Sequence, residues 1–181
     1  MFVPDDSSLE RSPDAEGGAN VPELASGCGR LVRATRINHV SIAARDLEES
    51  TRFYEEVLSM ERIPTPTFRG PVQWLRIGDM QLHLFVYDGP APARHHLGIT
   101  IDDFDAAYEA VKSHASDTLG WKLVELPSGQ VQLYFRDPAD NLVELNWPDA
   151  DTLDRSRYPE LERLADHVEQ RPSSDGAKLY L

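Results

Sequence analysis

Four side chains suited to binding a transition metal occur at two positions that recur along the chain. His39 and His96 each open a short run of alternating apolar residues, 57 residues apart (96 minus 39). His83 follows His39 by 44 residues (83 minus 39), and Glu144 follows His96 by 48 (144 minus 96). Imidazoles and a carboxylate with open positions for water or substrate suit Fe, Mn, Ni, Co or Zn. The sequence therefore predicts a divalent metal site without choosing the ion.

The elements around these residues predict one small unit used twice. In each copy a strand pattern runs into an aspartate, Asp46 or Asp103, that caps a helix, and further strands follow. The two copies span residues 35–88 and 94–148, within a domain predicted at 34–150. The aliphatic residues on either side of His83, Leu82 and Leu84, would face the helices, so His83 would face a cavity. His95, His114 and His167 are predicted to point elsewhere.

Composition and charge narrow the class of protein. The net charge is −13, and the middle of the chain is itself acidic, so neither a nucleic acid nor an anionic membrane is an expected partner. Cys28 is the only cysteine, which excludes an intrachain disulfide. No apolar stretch is long enough to cross a membrane, and we expect a cytoplasmic protein.

The two ends of the chain differ from its centre. Residues 1–33 are rich in Ser, Pro, Asp, Gly and Ala without apolar periodicity, and we expect a disordered tail there. Residues 151–181 form a C-terminal extension. An amphipathic helix is predicted in it from near Pro159, with Leu161, Leu164, Ala165 and Val168 on one side.

These residues together resemble the vicinal oxygen chelate superfamily, which includes glyoxalase I, type I extradiol dioxygenases, fosfomycin-resistance enzymes and bleomycin-binding proteins. The resemblance covers residues 35–148. It rests on Ile37-Asn38-His39-Val40, on the helix Phe53-Tyr54-Glu55-Glu56-Val57-Leu58, on Leu82-His83-Leu84-Phe85, and on Asp137-Pro138 with Asn141 and Glu144. It implies an α+β fold of paired βαβββ modules whose curved mixed sheet surrounds a metal-binding cavity.

The resemblance also implies roles for single residues. The metal ligands of the family fall on His39, His96 and Glu144, and its variable fourth position falls on His83. His83 is therefore either a fourth ligand or a neighbour of a three-residue set. Glu144 is in addition a candidate base, and Tyr134, ten residues before it, a candidate hydrogen-bond donor to the substrate. Trp74, Phe85 and Tyr87 are candidate pocket walls, and Arg76 and Lys122 candidate partners of an anionic group.

The function implied is that of a metal-dependent enzyme acting on a small oxygen-rich molecule, either a glyoxalase-like isomerase or lyase, or a dioxygenase. Residues 125–127 lack the histidine of the dioxygenase signature, and Ser59 and Asp140 replace two glycines usual in the superfamily. The rival hypothesis is a bleomycin-resistance-like protein that sequesters a small molecule without chemistry. We expect a homodimer, and the site could close within one chain or across the dimer.

Overall fold

The two modules have the order of elements that the repeat predicts. A computed structural model describes residues 35–114 and 122–171, with Ala177 and Leu179, so the predicted tail at 1–33 lies outside the described residues. The first module contains β1 (His39–Ala44), α1 (Leu47–Leu58), β2 (Glu61–Ile63), β3 (Val72–Ile77) and β4 (Met80–Val86). The second contains β5 (His96–Thr100), α2 (Phe104–His114), β6 (Lys122–Glu125), β7 (Val131–Arg136) and β8 (Leu142–Trp147). The α+β class and the paired βαβββ modules are confirmed.

Each module builds one mixed sheet. The strand order is β1-β4-β3-β2 in the first and β5-β8-β7-β6 in the second, where a short strand, β9 (Glu162–Arg163), adds to the edge at β6. The first strand of each module runs parallel to its last, so Ser41 lies opposite His83 and Gly98 lies opposite Glu144. The candidate ligands of each module are thus carried by adjacent strands.

Helix packing decides which face of each sheet is covered. Asp46 caps α1 by accepting a hydrogen bond from the Glu49 backbone N–H at 2.9 Å, as the sequence predicts. The helix buries Phe53 and Tyr54 against the sheets, and Leu82 and Leu84 of β4 are buried on the same side. His83 alternates with these leucines and is only half-buried, so it lies on the face opposite the helices.

Three contacts fasten the modules to one another. The buried Tyr54 hydroxyl of α1 donates to Asp137 Oδ2 in the β7–β8 turn at 2.8 Å. Asn141 Nδ2 donates to the Ala43 carbonyl of β1 at 2.7 Å. An exposed ion pair joins Arg45 to Asp140. Since two of these contacts involve buried groups, the relative position of the modules is fixed within one chain.

The C-terminal extension departs from its predicted form. Two short 3₁₀ helices (Ala150–Thr152 and Arg155–Arg157) precede β9, and the helix expected from near Pro159 is a single turn, α3 (Leu164–His167). The Glu125 carboxylate binds both Arg155 and Arg163, which holds this segment along the sheet edge. Over the described parts of the chain, no helix has the length and apolar content needed to cross a bilayer.

Candidate metal centre

The first-module pair, His39 and His83, lies on the open face of the first sheet. Their rings stack with centroids 4.3 Å apart and planes 15° from parallel, and Trp74 stacks on the other face of His83 at 4.3 Å. Burial, with a smaller contribution from His39, lowers the pKa of His83 below its usual value. The neutral imidazole, which is the form that binds metals, is therefore favoured at His83.

The two rings of this pair differ in which nitrogen is free. His39 Nδ1 is hydrogen-bonded to the Asn38 side-chain oxygen, which leaves Nε2 with a lone pair. His83 Nε2 instead donates to Gln81 Oε1 at 2.9 Å, so only Nδ1 of His83 keeps a lone pair. A hydrogen bond from the second ring nitrogen is the usual way in which a protein orients a metal-binding histidine. By this criterion a metal could bind His39 through Nε2 and His83 through Nδ1.

The second-module pair, His96 and Glu144, is in direct contact. His96 Nδ1 donates to the Arg94 carbonyl at 3.1 Å, and His96 Nε2 lies 3.2 Å from Glu144 Oε2. The carboxylate of Glu144 is buried, and its side chain is only 5% exposed. A carboxylate removed from water to this extent requires a positive partner.

The polarity of the His96–Glu144 contact identifies what that partner can be. A carbonyl oxygen only accepts, so the Arg94 contact places a proton on His96 Nδ1 and leaves Nε2 with a lone pair in the neutral ring. Two acceptors then face each other, and only a proton or a metal ion between them makes the contact favourable. Two atoms bound to one ion at about 2.1 Å each are about 3 Å apart, which matches the observed distance. The donor set therefore fits a divalent ion.

The two pairs do not converge within one chain. Across the parts of the molecule that the structure describes, no group of three or more His, Cys, Asp or Glu side chains is close enough to hold one ion. His39 and His96 are both exposed, so each pair opens to the surface. The four predicted ligands thus lie in two separate pairs, His39 with His83 and His96 with Glu144, which we call half-sites.

A polar network surrounds Glu144. Gln132 Nε2 donates to Glu144 Oε1 at 2.8 Å, and the Tyr134 hydroxyl donates to Gln132 Oε1 at 3.1 Å. Burial, followed by the nearby Glu144 carboxylate, raises the pKa of Tyr134, which keeps the phenol protonated. Sequence reasoning missed Gln132, although its alternation with Tyr134 along β7 places it on the same face of the sheet.

The other candidates have varied surroundings. A cavity of about 430 Å³ between β1 and β5 is lined by Phe85 and Tyr87 together with His96, so these two predicted pocket walls border a half-site. Trp74, the third, stacks on His83 instead. Both predicted anion-binding cations already face carboxylates: Arg76 pairs with Glu61 and Lys122 lies 4.0 Å from Glu162.

Comparison with known proteins identifies the family to which this fold belongs. Residues 36–145 match the family described as Glyoxalase/Bleomycin resistance protein/Dioxygenase superfamily. Because the match covers more than half of the chain, the protein belongs to this superfamily, as the motifs around His39, His83 and Glu144 imply.

Relatives within the superfamily differ in their activities. Human mitochondrial methylmalonyl-CoA epimerase is 25% identical over 150 residues, covering 74% of this chain and 85% of the relative. An Arabidopsis thaliana protein named Glyoxylase I 4 is 28% identical over 135 residues, covering 67% and 76%. A fosfomycin resistance protein, FosX from Listeria monocytogenes, was solved with Mn(II) and 1S,2S-dihydroxypropylphosphonic acid. It superposes with a TM-score of 0.57 at 16% identity, covering 66% of this chain and 96% of FosX, which shows a shared fold.

Proposed function

We propose that this chain is a metal-dependent enzyme whose ion is bound by His39, His96 and Glu144. The observation that carries the proposal is the His96–Glu144 contact, in which His96 Nε2 lies 3.2 Å from an oxygen of a buried carboxylate. His39 supports it, because its Nδ1 is already hydrogen-bonded and its Nε2 is free. His83 is proposed as the neighbour that orients His39, since its ring is stacked between His39 and Trp74.

We further propose that the complete site forms between two copies of the chain. The buried contacts of Tyr54 with Asp137 and of Asn141 with Ala43 hold the modules in place, so the two pairs of one chain cannot move together without breaking them. A homodimer with a two-fold axis would place the first-module pair of one copy against the second-module pair of the other, twice. Each dimer would then contain two ions.

A complementation experiment tests this arrangement. A chain carrying His39→Ala and a chain carrying Glu144→Gln should each, alone, bind no Mn(II) at a concentration near the Kd of the wild type, since each loss is expected to exceed about 100-fold. Mixed under conditions that allow exchange of subunits, half of the dimers are hybrids with one intact site, so about a quarter of the sites should recover. Equilibrium dialysis measures bound Mn(II), and mass spectrometry confirms the hybrids. Hybrid dimers that bind no Mn(II) would contradict a site shared between chains.

Metal content tests the enzyme against the sequestering alternative. Protein purified without added metal, then reconstituted with Mn, Ni, Fe, Co and Zn separately, should hold about one ion per chain by elemental analysis. If none of these ions binds but a small molecule does, the protein is a sequestering one and the proposed enzyme is wrong.

For the reaction, we propose proton transfer beside a carbonyl of a chelated small molecule. The names of the curated relatives, an epimerase and a glyoxylase I, support isomerase-type chemistry, and the lack of histidine at residues 125–127 counts against the dioxygenase alternative. The bound ion would act as a Lewis acid on the carbonyl oxygen. Glu144 is the predicted base, and the cavity beside Phe85 and Tyr87 offers room for the rest of the substrate.

Solvent exchange separates these reactions. In D₂O, methylmalonyl-CoA or a glutathione hemithioacetal incubated with the metal-loaded protein should gain deuterium at the carbon next to the carbonyl, detected by NMR. Oxygen consumption with a panel of catechols and Fe(II) would instead indicate the dioxygenase.

A further inference from the structure

We infer that Gln132 is a positioning residue that fixes Glu144 as a ligand through one carboxylate oxygen, Oε2. This inference rests on the proposed function, because it concerns the same metal. Gln132 lies on β7, the neighbour of the strand that carries Glu144, and its exposed fraction is 8%. Its amide reaches Glu144 Oε1 at 2.8 Å, which is within the range of a charge-assisted hydrogen bond.

The direction of every hydrogen bond in this network follows from the carboxylate. An ionised carboxylate only accepts, so the NH₂ end of Gln132 must face Glu144. The carbonyl end of Gln132 then faces Tyr134, and that oxygen also only accepts, so the Tyr134 hydroxyl must donate. Reversing any one of these groups would bring two acceptors or two donors together. Tyr134 therefore holds Gln132, and Gln132 holds Glu144.

This arrangement makes the two carboxylate oxygens unequal. Oε1 is occupied by Gln132, whereas Oε2 faces His96 Nε2 at 3.2 Å. A second weak contact of the same amide, from Gln132 Nε2 to Asn146 Oδ1 at 3.4 Å, further limits rotation of the Gln132 side chain. Without Gln132 the carboxylate could turn, and neither oxygen would be held toward His96.

Burial supports a role tied to Glu144. Val131 and Leu133, which precede and follow Gln132 along β7, belong to the hydrophobic core and are fully buried. Gln132 on the opposite face neighbours Val124 across the sheet, where an aliphatic side chain would avoid the cost of burying an amide. The hydrogen bonds of Gln132 with Glu144 and Tyr134 offset the cost of burying its amide. A polar residue at this position is therefore explained by its bond to the Glu144 carboxylate.

The test compares Mn(II) binding by two variants of the protein, each with one buried glutamine replaced by methionine. In Gln132→Met, which keeps the length of the side chain, the Kd for Mn(II) should rise about 10- to 100-fold, the usual effect of removing a residue that orients a ligand. Gln130→Met is the matched control, because Gln130 is equally buried but binds Ser128 and the backbone of Leu179 instead. It should change the Kd less than about threefold. The EPR spectrum of bound Mn(II) should change in Gln132→Met only.

Additional variants keep the test decisive. Gln132→Asn, whose amide is too short to reach Glu144, gives a second measurement should Gln132→Met fail to fold. Tyr134→Phe should weaken Mn(II) binding less than Gln132→Met, because Gln132 bonds directly to Glu144 Oε1 at 2.8 Å. If the wild type binds Mn(II) and Gln132→Met binds it equally well, this inference is overturned while the proposed function stands. If the wild type binds none of the ions tested, both are overturned.

Discussion

The Tyr54–Asp137 hydrogen bond offers a quantitative test of how the two modules are held together. Replacing Tyr54 by Phe removes one hydroxyl from a fully buried position and leaves the ring in place. Asp137, also fully buried, would keep three of its four donors: the backbone N–H groups of Ala139 and Asn141 and the Asn141 side chain. The loss is therefore confined to one bond of 2.8 Å to a carboxylate.

The magnitude follows from the charge and burial of Asp137. A hydrogen bond to a charged group contributes about 1.5 to 3 kcal/mol, and deleting a hydroxyl leaves almost no cavity, so the free energy of unfolding should fall by about 2 kcal/mol near pH 7. Burial raises the pKa of Asp137 above its usual value, and the bond from Tyr54 opposes this by stabilising the charged form. Because the pKa in the folded protein is the higher one, the contribution of Asp137 to stability is largest in acid and declines as pH rises through that pKa.

Tyr54→Phe should increase the amount of stability that is lost as pH rises through the pKa of Asp137. It removes a donor that favours the charged form, so the pKa of Asp137 should rise further, and the difference from the wild type should shrink at about pH 3, where the carboxyl group is protonated. Urea denaturation at the two pH values measures the effect.

Tyr158→Phe is the matched control. Tyr158 is also buried, but its hydroxyl has no hydrogen-bond partner among the described residues. Removing this hydroxyl should leave stability unchanged or raise it by up to about 1 kcal/mol. Equal losses in the two variants, or a loss below about 0.5 kcal/mol in Tyr54→Phe, would refute the reasoning.

Three further predictions concern the backbone and the half-sites. Ser59 ends α1 at φ 51°, a left-handed conformation that glycine adopts without strain. Ser59→Gly should therefore raise the free energy of unfolding by about 0.5 to 1 kcal/mol in thermal or urea melts. A lower free energy of unfolding in this variant would show that Ser59 is not strained. A Cβ at Gly98 would lie 3.8 Å from Glu144 Oε1, an ordinary contact, so Gly98→Ala should keep Mn(II) binding, whereas Gly98→Leu should weaken it by about 10-fold or more as measured by dialysis. His39→Ala should weaken Mn(II) binding by more than about 100-fold and His83→Ala by about 10-fold or less in the same assay, and equal losses would identify His83 as a fourth ligand.

Much of the fold was predictable because local patterns carry it. Asp103 accepts from the Ala106 backbone N–H at 2.9 Å, a cap that the sequence predicts, and alternation along β4 correctly opposes His83 to the buried leucines on either side. No pattern in the sequence locates the short strands β2 and β9, because two or three residues give too little periodicity. Only the βαβββ modules that the resemblance implies require a strand such as β2. The extent of the C-terminal helix was wrong, since β9 and its Arg163 contact with Glu125 take up the residues where it was expected to begin.

By itself, the sequence determined the repeated modules and the residue types of both half-sites, because these depend on spacing and on the two-residue period of a strand. The superfamily followed from the resemblance of its motifs to those of known members. The tertiary structure decided that His39 and His96 belong to separate half-sites, since the buried Tyr54 and Asn141 contacts set the position of one module against the other. It also decided that Gln132 holds Glu144. Contacts of this kind depend on distances across strands and between modules, which spacing along a chain does not specify.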